Sequence, residues 1–380
     1  MSAHTTPAVR STRKPALPAL TGIRIFLALS IVFFHFTPAH LGLLYPVIDN
    51  GYIFVGFFFL LSGFILAYNY AERGATLSKR DFWIARFSRL YPVYLFSMLL
   101  FAPLFLLEFH YQTRAHFWQG MVLTPLLLQG WSPLLATFGN TVAWTLSCEA
   151  MLYAAFPWLI RVRWPRTPGR LIALTLGVWA VGMSLPVMYL YLNPDGLPMA
   201  AGHALANRYS PGLWLRALKF TPLPYVTTFL VGTLLGLLQN SVRISKQRRL
   251  AIAVAGLLLT TLYFYVAAPH VSYVLMHGGL LIPLFSCIVF GLSGDHIISA
   301  IFAWRPLVIL GETTYCLYLL HFDAYNLIHK YSLPQRLHVE QFDPWVSYAA
   351  IMLLAVGAYF LIEVPGRKFV LNRWATKRKP

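Results

Sequence analysis

Apolar runs of about 20 residues recur from one end of the chain to the other, separated by short polar or Gly- and Pro-bearing breaks. A run of that length crosses a hydrocarbon core of roughly 30 Å as a helix, which satisfies its own backbone hydrogen bonds without water. Ten such segments are expected, at residues 17–37, 51–71, 91–109, 142–160, 171–192, 221–239, 250–267, 275–293, 307–329 and 344–363. The predicted fold class is all-α: a polytopic membrane protein with about ten transmembrane helices. The stretch Phe117 to Gly130 is apolar but only 14 residues long, so it is read as interfacial or re-entrant.

Composition agrees with the pattern. Hydrophobic residues make up 58% of the 380 and charged residues 11%, against roughly a quarter charged in soluble domains. The expected organisation is a cytoplasmic leader at 1–16, a transmembrane domain at 17–366 and a basic cytoplasmic tail at 367–380. A net charge of +18 would suggest nucleic acid in a soluble protein, but in a membrane protein it is first a topology signal. With the N-terminus inside, 23 of the 30 Lys and Arg fall in the leader, the tail and the loops of one side, and 6 on the other. Both termini are therefore expected in the cytoplasm, with the bilayer as a partner and no nucleic acid. Arg10, Arg13 and Lys14 precede an apolar run that is long, contains Arg24 and lacks a small-residue cleavage site, so a retained first helix is expected rather than a cleaved signal.

Cys148, Cys287 and Cys316 are odd in number and sit at membrane depth, which implies no disulfide framework. There is no Gly-rich phosphate loop, CxxC pair or HExxH helix, and no metal is expected.

Ionisable side chains at membrane depth are unfavourable by several kcal/mol and so mark cavities or partners. They are Arg24, His35, Glu149, His277, Glu312, His321 and Asp323. Arg24 and His35 are 11 residues apart, three turns plus about 20°, and so share one helix face with a rise of roughly 16 Å. They are expected to line one channel through much of the bilayer, the alternative being an Arg snorkelling inward and an interfacial His. In "VAWTLSCEAMLY", Glu149 lies about two turns from the outer surface, at a depth near that of His35. A carboxylate there can orient an imidazole base and stabilise its charged form, or act as a protonated interhelical hydrogen bonder. In the loop "KRDFWIARFSRLYP", Arg86 and Arg89 are one turn apart, a spacing that suits an anionic headgroup or a diphosphate; Lys79 and Arg80 read at least as well as membrane anchors. In "GETTYCLYLLHF", Tyr315, Tyr318 and His321 form a polar stripe that lines a cavity or packs at an interface.

The segments "LTGIRIFLALSIVFFHF", "GYIFVGFFFLLSGFIL", "FWIARFSRLYPVYL", "WTLSCEAMLYAAFP", "GETTYCLYLLHF" and "IEVPGRKF" run in order from residue 20 to 369. In these the chain resembles the acyltransferase 3 family, integral-membrane O-acyltransferases of bacterial surface glycans and secreted glycosides. The resemblance implies a ten-helix bundle in the bacterial cytoplasmic membrane, acyl-CoA (acetyl-CoA) as donor substrate with no permanently bound cofactor, and a saccharide or glycoside acceptor. By the same resemblance His35 is the expected catalytic base and Glu149 its acidic companion. Arg24, Arg86 and Arg89 are the donor-binding residues, with Trp144, Tyr315, Tyr318 and His321 lining the cavity. Many members carry an aspartate near the position of Thr21, where this chain departs. A proton-coupled transporter would also use buried Arg, His and Glu, but repeated halves and paired interrupted helices are not evident.

Overall fold

The apolar runs fold as helices almost throughout in the computed structural model, which describes residues 14–74 and 76–376. Arg10 and Arg13 of the leader and Lys377, Arg378 and Lys379 of the tail lie outside the described residues. The principal helices are α1 Pro18–His35, α2 Phe54–Tyr70, α3 Lys79–Leu100, α4 Ala102–Tyr111, α5 Arg114–Leu123, α6 Trp144–Leu159 and α7 Pro168–Leu192. They continue with α8 Tyr225–Ser241, α9 Lys246–Leu262, α10 Ile282–Leu292, α11 Arg305–Glu312, α12 Thr314–Lys330, α13 Trp345–Ala358 and α14 Val364–Trp374. The described β structure is one pairing of Met199–Ala200 with His203–Ala204.

Seven described helical stretches are long and apolar enough to cross a membrane, and α3 with α4, bent by 65°, makes an eighth. The two remaining expected segments are helical but do not meet that length as single helices: α6 has 16 residues, and 307–329 is divided into α11 and α12 at Thr313. There the Thr313 hydroxyl donates to the Leu310 carbonyl at 2.8 Å, a local bond that competes with the helix ladder.

Two boundaries differ from expectation in ways that matter for the site. The basic stretch before the third segment is not a loop: α3 begins at Lys79, where the Ser78 hydroxyl accepts the Asp81 N–H at 3.3 Å, and it runs through Pro92. Arg86 and Arg89 are thereby held on a helix. At the other terminus a π-helical turn, Tyr359–Glu363, joins α13 to α14, so the first part of the expected tail, through Trp374, is helical. The short apolar segment read as interfacial starts inside α5, a helix of 10 residues that ends at Leu123.

Packing follows small residues. A Cβ on Gly63 would stand 2.2 Å from the Phe229 carbonyl oxygen and one on Gly232 2.0 Å from that of Leu60, so α2 and α8 meet backbone to backbone at the centre. By contrast α7 and α9 have few buried residues and expose large apolar side chains such as Ile172, Leu176, Val181, Leu258, Leu259 and Leu262, as lipid-facing helices do.

Long-range bonds gather the chain at two ends. At one, Lys14 pairs with Glu72 at 2.6 Å and donates to Asn240 at 2.9 Å. Arg161 donates to the Gly74 and Leu77 carbonyls at 3.1 and 3.0 Å, and the Thr376 hydroxyl donates to Asp81 at 2.8 Å. At the other, the Tyr348 hydroxyl donates to the Phe36 carbonyl, Arg208 lies 3.5 Å from Asp49, and Arg216 donates to the Pro133 carbonyl at 2.8 Å. The first described residues, the α2–α3 turn, the end of α8 and the last described residues therefore share one end, here termed the basic end.

Candidate active site

A cavity of about 340 Å³ opens among α1, α2, α3, α6, α12 and the α13–α14 junction. It is walled by Phe58, Leu61, Ile65 and other apolar side chains, yet it also holds four arginines and three glutamates: Arg24, Arg86, Arg89 and Arg367, with Glu149, Glu312 and Glu363. Arg367 and Glu312 are exposed and form its rim, while Arg24, Arg89 and Glu149 are half-buried inside.

Each charged group is placed by local packing. Gly311 of α11 has no side chain, and a Cβ there would lie 2.0 Å from the Thr21 carbonyl oxygen; α1 seats against α11 at this point, one turn before Arg24. The Arg24 guanidinium lies 5.7 Å from the Phe58 ring centroid, and that of Arg86 5.7 Å from Phe82. Among the described residues, Nε of Arg24 and Nε of Arg86 are buried without a hydrogen-bond partner. Glu149 accepts the Ser62 hydroxyl at 3.3 Å and interacts electrostatically with Arg89 and Arg24. Glu363, on the π turn, accepts the Cys316 thiol at 3.2 Å, and Glu312 accepts the Tyr359 hydroxyl at 2.7 Å. The Tyr315 hydroxyl, at the cavity wall, donates to the Leu90 carbonyl at 2.6 Å.

His35 is not in this cavity. Its Nδ1 lies 2.9 Å from Nε2 of His321, whose own Nδ1 lies 2.7 Å from the Tyr318 carbonyl oxygen. Tyr318 stands at the boundary: its ring lines the cavity on one side and its centroid is 5.9 Å from that of His321 on the other, while its hydroxyl donates to the Val142 carbonyl at 3.3 Å. His321 is fully buried and His35 half-buried.

The structure thus brings together Arg24, Arg86, Arg89, Glu149, Tyr315 and Tyr318, and pairs His35 with His321 beyond them. The expected single channel from Arg24 to His35 is not one lined space: Arg24 lines the cavity and His35 does not, while Tyr318 belongs to the lining and stands beside His321. Glu149 is not the partner of His35; the arginines and Ser62 hold the carboxylate in the cavity, and an imidazole takes the place expected for it. Trp144 lies outside the cavity lining, buried against Phe220 and Tyr225 at centroid distances of 5.4 Å each. His321 likewise sits behind the wall rather than in it. Sequence reasoning did not assign Glu363, Arg367, Ser62 or Tyr153 to the site. Glu363 carried a legible signal, being one of only 12 acidic residues in the chain and following an apolar run.

Residues 17–364 match the acyltransferase domain family Acyl_transf_3. The chain belongs to this family. It is similar to the acyltransferase MdmB of Streptomyces mycarofaciens, with 29% identity over 83% of this chain and 80% of that protein. It is also similar to the peptidoglycan O-acetyltransferase OatA of Listeria monocytogenes, at 22% identity over 94% of this chain. The O-acetyltransferase OatA of Staphylococcus aureus gives 23% over 93%. The match covers 57% of the length of each OatA protein. No solved structure matches the chain. The protein is an O-acyltransferase with helices apolar enough to span a membrane, and the transporter alternative falls away.

Proposed function

We propose that this acyltransferase resides in the bacterial cytoplasmic membrane and moves an acyl group, acetyl in the first instance, from cytoplasmic acyl-CoA to a sugar hydroxyl. The acceptor class is a surface glycan, a lipid-linked saccharide or a secreted glycoside. The observation that carries this reading is the arginine-lined cavity, which holds two buried guanidinium N–H groups without partners beside an apolar wall. Phosphate groups at its mouth and an uncharged thioester arm inside satisfy both features. The excess of Lys and Arg in the segments at this end argues that it faces the cytoplasm, where acyl-CoA is found. The name of the Listeria relative, a peptidoglycan O-acetyltransferase, supports a glycan acceptor.

In the reaction His35 takes the proton of the acceptor hydroxyl as its oxygen attacks the thioester carbonyl carbon. The C–S bond breaks, and the proton passes from the imidazole to the departing sulfur, giving the O-acyl ester and free CoA thiol. Arg24, Arg86 and Arg89 hold the donor, and Glu149 offsets part of their charge. For donor and acceptor to meet, the acyl end of the donor must reach from the cavity past Tyr318, which lines it, to the histidine pair.

Purified protein in lipid nanodiscs, given acetyl-CoA and a panel of glycan and glycoside acceptors, tests this. CoA thiol release equal to ester formed, and dependent on acceptor, is expected. Acceptor-independent thiol release, or ester formed only from another donor, would refute it.

A further inference from the structure

The histidine pair has a hydrogen-bond polarity that is set by one backbone atom. The Tyr318 carbonyl oxygen can only accept, so the His321 nitrogen 2.7 Å from it, Nδ1, carries a proton. In a neutral imidazole the other nitrogen then has a lone pair, and His321 Nε2 is an acceptor. It faces Nδ1 of His35 at 2.9 Å, which must donate. The remaining lone pair of the pair, on Nε2 of His35, is the one left for a substrate proton. His321 is fully buried on α12, so its ring has little freedom to break this order.

We propose that His321 is the positioning residue of the acyl-transfer reaction, holding His35 in the Nδ1–H tautomer with Nε2 free to accept the acceptor's proton. This rests on the functional reading above. When His35 takes that proton on Nε2, its Nδ1–H bond to His321 becomes charge-assisted and stabilises the imidazolium, while the Nδ1 proton stays on His35. Ser–His–Asp sites give this orienting task to a carboxylate. Here a neutral imidazole performs it, which places no formal negative charge among apolar helices. The carbonyl of Tyr318, a residue whose ring lines the donor cavity, is the anchor of the chain of bonds, so donor wall and proton acceptor are fixed to the same turn of α12.

Two measurements test this. First, acyl transfer by His321→Leu and His321→Gln is compared with wild type. Leucine fills the space with no acceptor, and glutamine offers a carbonyl to His35. His321→Leu should lose about 10- to 100-fold in kcat with KM for acyl-CoA unchanged, the size of loss seen when the outer partner of a metal-bound imidazole is removed, and His321→Gln should recover part of it. Leucine at wild-type kcat, or glutamine no better than leucine, would overturn the proposal. Second, the wild-type protein labelled with 15N-histidine in nanodiscs should show Nδ1 of His35 protonated and Nε2 bare, the resonances being assigned by their loss in His35→Gln. The opposite tautomer would overturn it even if neither variant folded. The spectrum needs no acyl donor, so a failure of the acyl-transfer reading appears in the assay and a failure of the tautomer appears in the spectrum.

Discussion

The cavity and the histidine pair handle polar groups at membrane depth in opposite ways. The cavity concentrates seven ionisable side chains of both signs around about 340 Å³ of space, and leaves guanidinium donors without protein partners. A few ångströms beyond Tyr318, the pair consists of two imidazoles bonded in one direction from a backbone carbonyl. The first region is built to receive charge from outside, and its own residues remain incompletely bonded. The second is built to hold one proton acceptor in one orientation, and its buried partner is fully bonded. Under the proposed function, binding and proton transfer are separated along α1, with Arg24 serving one and His35 the other. Substitutions in the two regions should separate in the same way, as KM effects and kcat effects.

The largest effect is expected at His35. His35→Ala should lower acyl transfer by about two to four orders of magnitude, the usual range for a positioned general base, with acyl-CoA binding retained. His35→Gln should be nearly as inactive, because an amide keeps hydrogen bonds but does not accept the proton at working pH. Initial rates normalised to folded protein decide it, and substantial turnover by the glutamine variant would collapse the distinction between the two regions.

Next in size are the cavity arginines. Arg89→Ala and Arg24→Ala should raise KM for acyl-CoA by about 10- to 100-fold, the value of a charge-assisted hydrogen bond, while kcat changes much less. Arg89→Lys should recover only part, since a point charge lacks the guanidinium fork. An unchanged donor KM in both alanine variants would leave the cavity without its proposed ligand.

Tyr318→Phe sharpens the boundary itself. It removes the hydroxyl bond to the Val142 carbonyl but keeps the ring and the backbone carbonyl that holds His321. A single neutral hydrogen bond is worth about 1 kcal/mol, so kcat should stay within roughly five-fold of wild type. A loss as large as that of His35→Ala would mean that the tyrosine hydroxyl, and not the imidazole pair, carries the chemistry.

Much of this arrangement was legible in the sequence, and the parts that were not share a cause. Helical periodicity placed Arg24 and His35 on one face of α1, and the rarity of charge in apolar runs singled out Glu149 and His321. Periodicity speaks only within one helix. It could not say that Glu149 meets Ser62 of α2 and the arginines rather than His35, because that depends on how far α6 slides against its neighbours. The start of α3 was hidden by its basic residues, which look like a loop although Ser78 caps a helix there. Arg367 was obscured by the assumption that the tail begins there, whereas the helix continues past the π turn; Glu363, the last residue of the expected span, was passed over as its end, and both residues line the cavity.

Trp144 gives the smallest expected effect and the cleanest control on that lesson. Sequence reasoning assigned it to the cavity wall, beside Glu149 on the same helix. The structure instead packs its indole against Phe220 and Tyr225, away from the arginines. Trp144→Phe keeps an aromatic ring in that cluster and removes no group that faces the donor. KM for acyl-CoA and kcat should both remain within about two-fold of wild type, with at most a modest loss of thermal stability from the smaller ring, in the range of a volume-reducing core change. The opposite outcome, a donor KM raised as far as in Arg89→Ala at unchanged stability, would place the indole back on the donor path, beside Thr145 and Leu146 of the same turn, which do line the cavity.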